Sequence, residues 1–571
     1  MARRLSARGT LFAVSCFSLA SVALYGQVTS ERLLRAASEP QNWLTYSGTY
    51  MSQRYSLLTQ ITPANVKNLM VKWVYQGAVF APWQTTPLVV DGIMYLTQRP
   101  NDVVALDART GRVFWIYQHI PSPDAIVCCG ANNRGLAILG DTLFLATHDA
   151  RLIAIHAKTG RALWNVKVVD HHEAAYSFTL APLVVKDKVI VGIGGSDYGI
   201  RGFVSAHDAK TGKELWRFYT IPAPGEPGHE TWQTCLPSSS SDPASPSYCN
   251  PDAWKTGGGA IWVTGSYDPD LNLTYWGTGN PGPDYNPQQR PGDNLYSGSV
   301  IALDADTGKL KWHFQFVPSD PYDYDAVQIP VLADMEWGGR PRKLMLWGNR
   351  NGFFYVLDRA TGEFLLGKPF VHVNWASGLD KRGRPIPTPQ PSGQPTYPGP
   401  QGATNWHSPS YSPRTGLFYL PVWENYGAVF QRTPQEYEQG SSFGAGGSAP
   451  FVPIPGAPGV PMLRRGPINF WTEAAASGAV LALDPRTGEK RWRFPMTDVG
   501  QSGILTTASD LLFTGGREGY FQALDARTGD VLWKVNLGAQ GINGPITYQV
   551  NGKQYVATIS GLSLSTFALP D

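Results

Sequence analysis

The hydrophobic and polar positions of this chain follow a repeat in which short apolar runs alternate with turn residues. The repeated unit reads Ala-x-Asp-x-x-Thr-Gly-x-x-x-Trp, with small variations. Where the copies are regular, they are spaced by about 41 to 52 residues, which suits one four-stranded sheet per copy. The last position of each copy is occupied by the following residues: Trp115, Trp164, Trp216, Trp312, Leu366 (in place of the usual tryptophan), Trp492 and Trp533.

Each copy predicts a strand, a tight turn and a second strand. The Asp and Thr side chains can hydrogen-bond the turn backbone, and Gly accepts a positive φ there. The Trp then lies on the last strand, where its flat ring packs against the neighbouring unit. Because a four-stranded sheet cannot bury both of its faces alone, radial stacking of such sheets predicts a β-propeller.

Counting the units predicts eight blades in an all-β fold. The seven copies leave residues 540–566, which offer only three strands, and the early segment around Trp73 can supply the fourth. A ring closed by N- and C-terminal strands has no free sheet edges. Three Gly/Pro-rich insertions, at 221–258, 372–404 and 427–468, are too irregular for blade strands and are predicted to cover one face as binding loops.

Composition supports this fold class and excludes one class of partner. The chain has 61 Gly, 46 Pro, 19 Trp, 26 Tyr and 23 Phe but only 16% charged residues, which is typical of strands joined by many turns. The net charge is +3. Since no basic run carries interleaved aromatic residues, we expect no nucleic-acid partner.

The first 26 residues are predicted to be an export signal, which leaves 27–571 as a single propeller domain. Arg3, Arg4 and Arg8 precede an apolar stretch, residues 11–24, that is too short to span a bilayer. An uncleaved signal anchor is the alternative, and the arginine pair alone is weak evidence for a twin-arginine signal. No later apolar run reaches transmembrane length, so we expect no membrane span in the mature chain.

The cysteines favour an oxidising compartment. Cys16 lies in the predicted signal, and the remaining four are an even number that is consistent with two disulfides: Cys128, Cys129, Cys235 and Cys249. Adjacent cysteines can close only a strained ring, so geometry alone leaves two unlinked thiols open as the alternative at 128 and 129. No Cys-x-x-Cys-His occurs, so we expect no covalently attached haem.

Several segments, together with the tryptophan motif, resemble the family of pyrroloquinoline quinone (PQQ) dependent alcohol dehydrogenases. The resemblance extends from Trp43 to about Ala568. The segments that carry it are Val127–Gly135, Val191–Gly202, Gly257–Trp262, Gly277–Pro283 and Asp320–Asp325. It implies an enzyme that oxidises a primary or secondary alcohol with PQQ and one bound metal ion.

The resemblance also implies the cofactor contacts. A disulfide between Cys128 and Cys129 would lie against one face of the quinone, and Trp262 would stack on the other. Gln84 replaces a family Glu, which keeps an acceptor but loses the charge. The full set of implied cofactor residues is Gln84, Cys128, Cys129, Arg134, Thr179, Gly194, Gly195, Ser196, Trp262, Arg350 and Asn405.

The metal ligands implied by the family are Asp197, Asn280, Asp323 and Asp325, with Asp197 in the place of a family Glu. An acid at position 325 marks relatives that resemble lanthanide-dependent enzymes, whereas calcium-dependent members usually carry a small neutral residue there. Residues i and i+2 of an extended segment point to the same side, so both acids could face one ion. Three carboxylates favour a trivalent hard cation over calcium, which remains the alternative. Without the resemblance, Asp325 is more simply a solvated loop acid.

The implied mechanism has Asp323 as general base, with Arg350 and the metal assisting at the quinone. Electrons would pass to a periplasmic cytochrome c because the chain has no haem site. Methanol-specific relatives carry a Trp at the position of Asp284, so we expect ethanol or larger alcohols as substrates. Because Asp197 and Gln84 depart from the family pattern, a propeller scaffold that has lost its cofactor is the alternative function.

Two further features are interpreted more plainly. His171 and His172 are expected to lie on a strand, where adjacent side chains face opposite ways, so they are interpreted as structural or exposed rather than as metal ligands. The sequence leaves the oligomeric state open, with a homodimer as one alternative.

Overall fold

The computed structural model describes residues 28–78, 83–233, 250–452, 460–461, 478–496 and 500–571. The predicted signal, Cys235 and Cys249 lie outside the described residues. Within these ranges the α-helix is one short segment, Ser30–Leu34, and no helix is long and apolar enough to cross a membrane. Short 3-10 turns occupy Ala36–Ser38, Val66–Asn68, Ser196–Tyr198, His229–Thr231, Ala253–Thr256 and Pro287–Gln289.

Eight sheets, seven of four antiparallel strands and one with a fifth, parallel strand, form the blades of a propeller, which confirms the predicted fold class. Blade 1 contains Leu88–Val90, Ile93–Gln98, Asp102–Asp107 and Val113–Tyr117. Blade 2 contains Ala137–Leu139, Thr142–Ala146, Arg151–His156 and Ala162–Lys167. Blade 3 contains Leu183–Val185, Lys188–Gly192, Phe203–Asp208 and Glu214–Tyr219. Blade 4 contains Ser266–Asp268, Leu273–Gly277, Ser299–Asp304 and Leu310–Gln315.

The other four blades complete the ring. Blade 5 contains Val331–Trp337, Arg340–Gly348, Phe353–Asp358 and Phe364–Pro369. Blade 6 contains Ser410–Ser412, Leu417–Trp423, Gly478–Leu483 and Lys490–Met496. Blade 7 contains Ile504–Thr507, Leu511–Gly515, Tyr520–Asp525 and Val531–Asn536, with Tyr55–Ser56 added in parallel. Blade 8 contains Ile546–Val550, Lys553–Ser560, Ser563–Ala568 and Met70–Gln76.

The ring is closed by the two ends of the chain, as predicted. Met70–Gln76 pairs antiparallel with Ser563–Ala568, and Trp73 lies opposite Thr566 in this register. The N-terminal strand thus covers what would otherwise be an unpaired sheet edge in blade 8.

The tryptophan repeat joins consecutive blades. Trp73 donates its indole N–H to the carbonyl of Ala108 at 3.2 Å, and its ring lies against Gly111 in the motif turn of blade 1. A Cβ on Gly111 would come within 2.6 Å of that ring, and its φ of +74° also favours glycine. The same indole-to-carbonyl bond recurs in Trp115–Ala157, Trp164–Ala209, Trp216–Ala305, Trp312–Arg359 and Trp492–Ala526.

The one non-tryptophan copy occupies an equivalent place. A Cβ built on Gly488 would lie 3.2 Å from the side chain of Leu366, so the leucine fills the space that a ring fills elsewhere. Within each motif turn the aspartate bonds the backbone, as Asp107 Oδ1 does by accepting from the N–H of Arg109 at 2.8 Å and of Thr110 at 3.2 Å. The motif therefore encodes both the turn and the contact to the preceding blade.

One expectation is confirmed and another, on two histidines, needs correction. Among their described residues the insertions 372–404 and 427–468 supply no blade strands, as predicted, and they contain two small separate sheets, Ala376–Leu379 with Pro385–Pro387 and Gly427–Arg432 with Gly446–Val452 and Val460–Pro461. Backbone pairing can occur despite the irregular composition. His171 and His172 lie in a turn after Ala162–Lys167 rather than on a strand. Their side chains therefore do not alternate, and the ring centroids are 4.0 Å apart.

Candidate active site

Every residue singled out for chemistry lies on one face of the propeller, and the strand order explains why. In an antiparallel blade, the loop between the second and third strands and the connection to the next blade emerge at the same end. Asp197, Asn280 and Arg350 follow second strands, in blades 3, 4 and 5. Asp323 and Asp325 lie in the connection from blade 4 to blade 5. The motif turns join third and fourth strands, so they lie at the opposite end.

We call the set Asp197, Asn280, Asp284, Asp323, Asp325 and Arg350 the hub cluster. Asp325 links two other members of the cluster, Asn280 and Arg350. Its Oδ1 accepts from the backbone N–H of Asn280 at 2.7 Å, and its Oδ2 accepts from Nη1 of Arg350 at 2.6 Å. The same Nη1 lies 3.6 Å from Oδ1 of Asp323. The two acids of the Asp-x-Asp segment therefore share one guanidinium.

Asp284 is a member that the sequence analysis treated only as a determinant of pocket size. Its Oδ1 accepts from Nδ2 of Asn280 at 2.6 Å, and its side chain is buried. Because an amide has its N–H₂ and its C=O on opposite sides, this bond fixes the direction of the Asn280 carbonyl oxygen. The separation of four residues from Asn280 was the sequence signal that could have indicated the pairing.

The electrostatics show that the hub cluster holds more negative charge than its protein partners balance. Burial raises the pKa of Asp197 to about 6, and Asp325 adds to the shift. Burial also raises the pKa values of Asp284 and Asp323 well above the usual range. Burial opposes charge on Arg350, but Asp323 and the other carboxylates outweigh it and raise the pKa. Fully ionised, four carboxylates and one guanidinium would carry a net charge of −3, which favours a bound cation.

A buried arginine that the sequence analysis missed holds the two acid-bearing loops together. Arg290 donates to the carbonyl oxygens of Pro283 at 2.8 Å and of Asp284 at 3.1 Å, and also to that of Asp320. The Asp320 carboxylate in turn accepts from the backbone N–H of Tyr324 at 2.6 Å. These bonds satisfy buried carbonyls and fix the path of both loops.

The paired cysteines lie at the same place. Cys128 and Cys129 form a disulfide, which excludes the alternative of two unlinked thiols. Their sulfur atoms and a carboxylate oxygen of Asp197 all lie within 4.8 Å of one another. The disulfide therefore borders the hub cluster directly.

Arg134 lies among aromatic rings and, in the described part of the chain, has no acidic partner. Its guanidinium is 4.8 Å from the ring centroid of Trp262 and 4.9 Å from that of Trp406. Nη1 donates to the carbonyls of Thr179 and Trp262, both at 3.3 Å. Burial lowers its pKa to about 10, and no carboxylate pairs with it within the described ranges. A buried guanidinium of this kind suits an anionic ligand.

Several buried polar atoms on this face lack a protein partner in the part of the chain that the structure describes. They are Gln84 Oε1, Arg134 Nε, Arg350 Nε and His407 Nε2. Unsatisfied buried donors and acceptors are rare unless a ligand or water completes them. Three donors or ring nitrogens and one amide acceptor fit a flat ligand that carries carboxylates and carbonyl oxygens.

The remaining candidates have local roles in the structure. Ser196 Oγ accepts from the N–H of Ala260 at 2.8 Å. Asn405 Nδ2 donates to the carbonyl of Gln401 at 2.9 Å, so its amide is engaged within its own loop. A Cβ on Gly194 would lie 3.1 Å from the carbonyl oxygen of Ser177, and one on Gly195 would lie 2.3 Å from that of Ala175. The two glycines thus permit close backbone approach.

A family model for the β-propeller domain of PQQ-dependent glucose, ethanol and alcohol dehydrogenases matches residues 43–374 and 495–556. The chain is 37% identical over 574 residues to a quinoprotein alcohol dehydrogenase, PedH, of Pseudomonas putida KT2440, which covers 97% of this chain and 92% of the relative. It is also 37% identical over 559 residues to the quinohemoprotein alcohol dehydrogenase ADH IIB of Pseudomonas putida, covering 96% of this chain and 77% of the relative.

Solved structures agree with these matches. A quinohemoprotein alcohol dehydrogenase of Pseudomonas putida, ADH-IIG, superposes with a TM-score of 0.84 at 35% identity, covering 94% of this chain and 82% of that chain. A europium-containing methanol dehydrogenase superposes with a TM-score of 0.83 at 31% identity, covering 94% of this chain and all of that chain (100%). Both likenesses extend over nearly the whole propeller.

Proposed function

The chain belongs to the family of PQQ-dependent glucose, ethanol and alcohol dehydrogenases, and from that premise we propose how its hub cluster works. It is an enzyme that oxidises alcohols with PQQ. Relatives of this identity over nearly the full chain carry that activity in their names, which argues against the alternative of a scaffold that has lost its cofactor.

We propose that PQQ lies between the Cys128–Cys129 disulfide and Trp262. Arg134 supports this placement because it is a buried cation that has no acidic partner among the residues the structure describes, and it lies beside Trp262. Arg350 and Gln84 offer a free donor and a free acceptor, respectively. When bound, PQQ accepts the two electrons of the oxidation and the metal ion acts as a Lewis acid beside it.

The metal ion in this proposal is held by Asp197, Asn280, Asp323 and Asp325 and is a lanthanide. The observation that carries the proposal is the charge of the hub cluster, in which a fourth carboxylate, Asp284, lies behind Asn280. All donors are oxygen atoms, as hard cations require. A trivalent ion balances the net charge of −3, whereas calcium would leave one negative charge uncompensated.

Asp323 is proposed as the general base that takes the proton from the substrate hydroxyl. Burial raises its pKa, which makes its carboxylate a stronger proton acceptor. Arg350 lies 3.6 Å from Oδ1 of Asp323 and bonds Asp325 more closely, so it orients the pair while leaving Asp323 the weaker contact. Arg350 therefore positions the Asp323 carboxylate without forming a close ion pair with it.

The finer features of the reaction are also proposals. We infer ethanol or a larger primary or secondary alcohol as substrate, because Asp284 occupies the position at which methanol-specific relatives carry a bulky Trp. We further propose export to the periplasm, since Arg3, Arg4 and Arg8 precede an apolar stretch at residues 11–24. We propose electron transfer to a cytochrome c, since the sequence offers no haem attachment motif.

The proposal is tested by reconstituting the purified protein with PQQ and either lanthanum or calcium, followed by dye-linked oxidation of ethanol. We expect activity with lanthanum to exceed that with calcium at least about tenfold, and Asp325→Ala to abolish the lanthanum-supported rate because it removes a charged ligand. Asp187→Asn, at an exposed carboxylate of blade 3, is the matched control. Activity with calcium alone would refute the lanthanide, and no oxidation with either metal would refute the proposed reaction.

A further inference from the structure

A second group of metal-ligating side chains lies on the same face, away from the hub. It consists of Asp124, Asp170, His171 and His172, which we call the rim cluster. Asp124 belongs to the connection from blade 1 to blade 2, the segment that also carries the Cys128–Cys129 disulfide. The histidines belong to the connection from blade 2 to blade 3.

The donor atoms of the rim cluster converge. Nε2 of His172 lies 2.8 Å from Oδ2 of Asp124, and Nε2 of His171 lies 3.3 Å from Oδ1 of the same residue. One ligand atom from each of the three residues lies within 4.8 Å of the others. Ligands of a tetrahedral zinc ion are separated by about 3.4 Å, given metal–nitrogen bonds of about 2.0–2.1 Å. Small side-chain rotations would therefore complete a three-ligand site.

A supporting layer orients these ligands. Nδ1 of His172 lies 2.6 Å from Oδ1 of Asp170, and Oδ2 of Asp170 accepts from Nζ of Lys167 at 3.0 Å. Metal-binding histidines nearly always give their second ring nitrogen to such a carboxylate. The Asp124 carboxylate also accepts a hydrogen bond from the hydroxyl of Ser122. His171 is held by packing, since only 9% of its side chain is exposed.

The chemistry of the donors specifies the class of ion. Two imidazole nitrogens and one carboxylate suit zinc or copper, whereas hard cations prefer oxygen ligands alone. With neutral histidines the two aspartates give the rim cluster a net charge of −2, which Lys167 only partly balances. His172 and Asp124 are exposed, so an ion has direct access from solvent and a water molecule can occupy the fourth position.

We propose that the rim cluster binds one divalent transition-metal ion of the zinc and copper type through Asp124, His171 and His172. The ion would cross-link the segment that carries the disulfide to the connection between blades 2 and 3. The backbone carbonyl of His172 also accepts from the side chain of Gln439. In the loop that contains Gln439, the backbone N–H of Phe443 donates to the carbonyl of Asp197 at 2.7 Å. An ion at the rim would thus link the segments of Asp124 and His172 directly, and the Gln439 bond would connect them to the loop that contacts Asp197.

The site is tested on untagged holoenzyme, with PQQ and metal at the hub, by adding one equivalent of Cu²⁺ and recording its electron paramagnetic resonance spectrum. Because the hub ligands are oxygen atoms, hyperfine splitting from two imidazole nitrogens would support the rim site. A spectrum with one nitrogen, with none, or of free aqueous copper would overturn the proposal.

Variants test the same site by calorimetric titration with Zn²⁺. We expect His172→Ala and Asp124→Ala to weaken zinc binding by about 10-fold to 100-fold or more. His372→Ala removes another exposed histidine and serves as the matched control, with unchanged affinity. Equal zinc affinity in His172→Ala and the unaltered protein would contradict the assignment. Zinc should also slow amide hydrogen exchange in residues 119–131 of the unaltered protein but not of His172→Ala.

Discussion

The hub cluster and the rim cluster lie on the same face of the propeller, and both gather carboxylates, but they differ in burial and in donor atoms. The hub combines four mostly buried acids with one arginine and offers only oxygen atoms to an ion. The rim combines two acids with two histidines, and its acid Asp124 is half exposed. In the two proposals, the oxygen donors of the hub suit a hard cation, and the imidazole nitrogens of the rim suit a borderline cation.

Two histidines make the contrast in electrostatics plain. His407 is buried beside Arg134 and Arg350, and burial together with these cations lowers its pKa to about 3. His172 is exposed, and its bond to Asp170 raises its pKa. Burial therefore disfavours the cation at His407, whereas Asp170 favours the cation at His172 as long as no metal ion is bound there. The environment that the fold supplies decides the charge.

The largest expected effect follows from removing the proposed base. Asp323→Asn should lower kcat by about 10²-fold to 10⁴-fold, since an amide cannot take the proton. The metal content should fall much less, because Asp197, Asp325 and the carbonyl of Asn280 remain. Steady-state kinetics and metal analysis of the same preparation compare the loss of kcat with the loss of bound metal. Full turnover by Asp323→Asn would disprove its role, and Asp187→Asn is the control.

The next effect concerns Arg290, which holds the two acid-bearing loops of the hub together. Arg290→Met should destabilise the protein by about 3–5 kcal/mol, because it leaves several buried carbonyls of the acid-bearing loops without a donor. Arg384→Met removes an exposed pair with Asp293 and should cost less than about 1 kcal/mol. Denaturant unfolding monitored by fluorescence measures both. Similar losses in the two variants would show that Arg290 has no special structural role.

A smaller effect is expected for the residue that orients Asn280. Asp284→Ala should weaken binding of terbium at the hub by about 10-fold to 100-fold, measured by sensitised luminescence. The terbium affinity of Asp284→Asn should lie between that of Asp284→Ala and that of the unaltered protein. The asparagine keeps an acceptor for Nδ2 of Asn280 but loses the charge. If the two variants bind equally weakly, charge and not orientation is the contribution of Asp284. Unchanged affinity in both would exclude any role in metal binding.

The smallest effect is a pH dependence that separates the two histidine environments. The folded-state pKa of His407, about 3, lies below the unfolded value of about 6.5, so the unfolded chain binds the extra proton first. Stability relative to His407→Gln should therefore fall as the pH drops from about 6.5, by about 1 kcal/mol over the first unit. Urea unfolding at several pH values measures it. If the difference in free energy of unfolding between the unaltered protein and His407→Gln does not change with pH, the pKa of His407 is not lowered by folding.

Sequence patterns predicted the ring and much of the hub. The tryptophan motif fixed blade number, turn position and the closing strand around Trp73, because each copy carries its own turn and its own contact to a neighbour. The motif segments also identified residues that the structure brings together, such as Asn280, Asp325 and Arg350. The ring prediction is confirmed because it depends on local sequence, and the family pattern gave hub residues that the structure places together.

Other features could not be found in this way. Arg290 lies outside every motif, and its role depends on carbonyls that meet it only after two loops have folded. The expected strand placement of His171 and His172 was wrong, because both lie in a turn that brings their rings to Asp124. Asp124 itself is distant in sequence from the histidines, so sequence spacing does not predict that their side chains come into contact.

By itself, the sequence determined the repeating blade, the closure of the ring and the face on which the loops gather, since hydrogen-bond pattern and turn chemistry act over short stretches of chain. Only the tertiary structure decided which acids lie together, which buried arginine has no acidic partner among the described residues and which histidine is disfavoured as a cation. Charge and burial depend on groups that are far apart along the chain, and their balance exists only once the ring has brought them together.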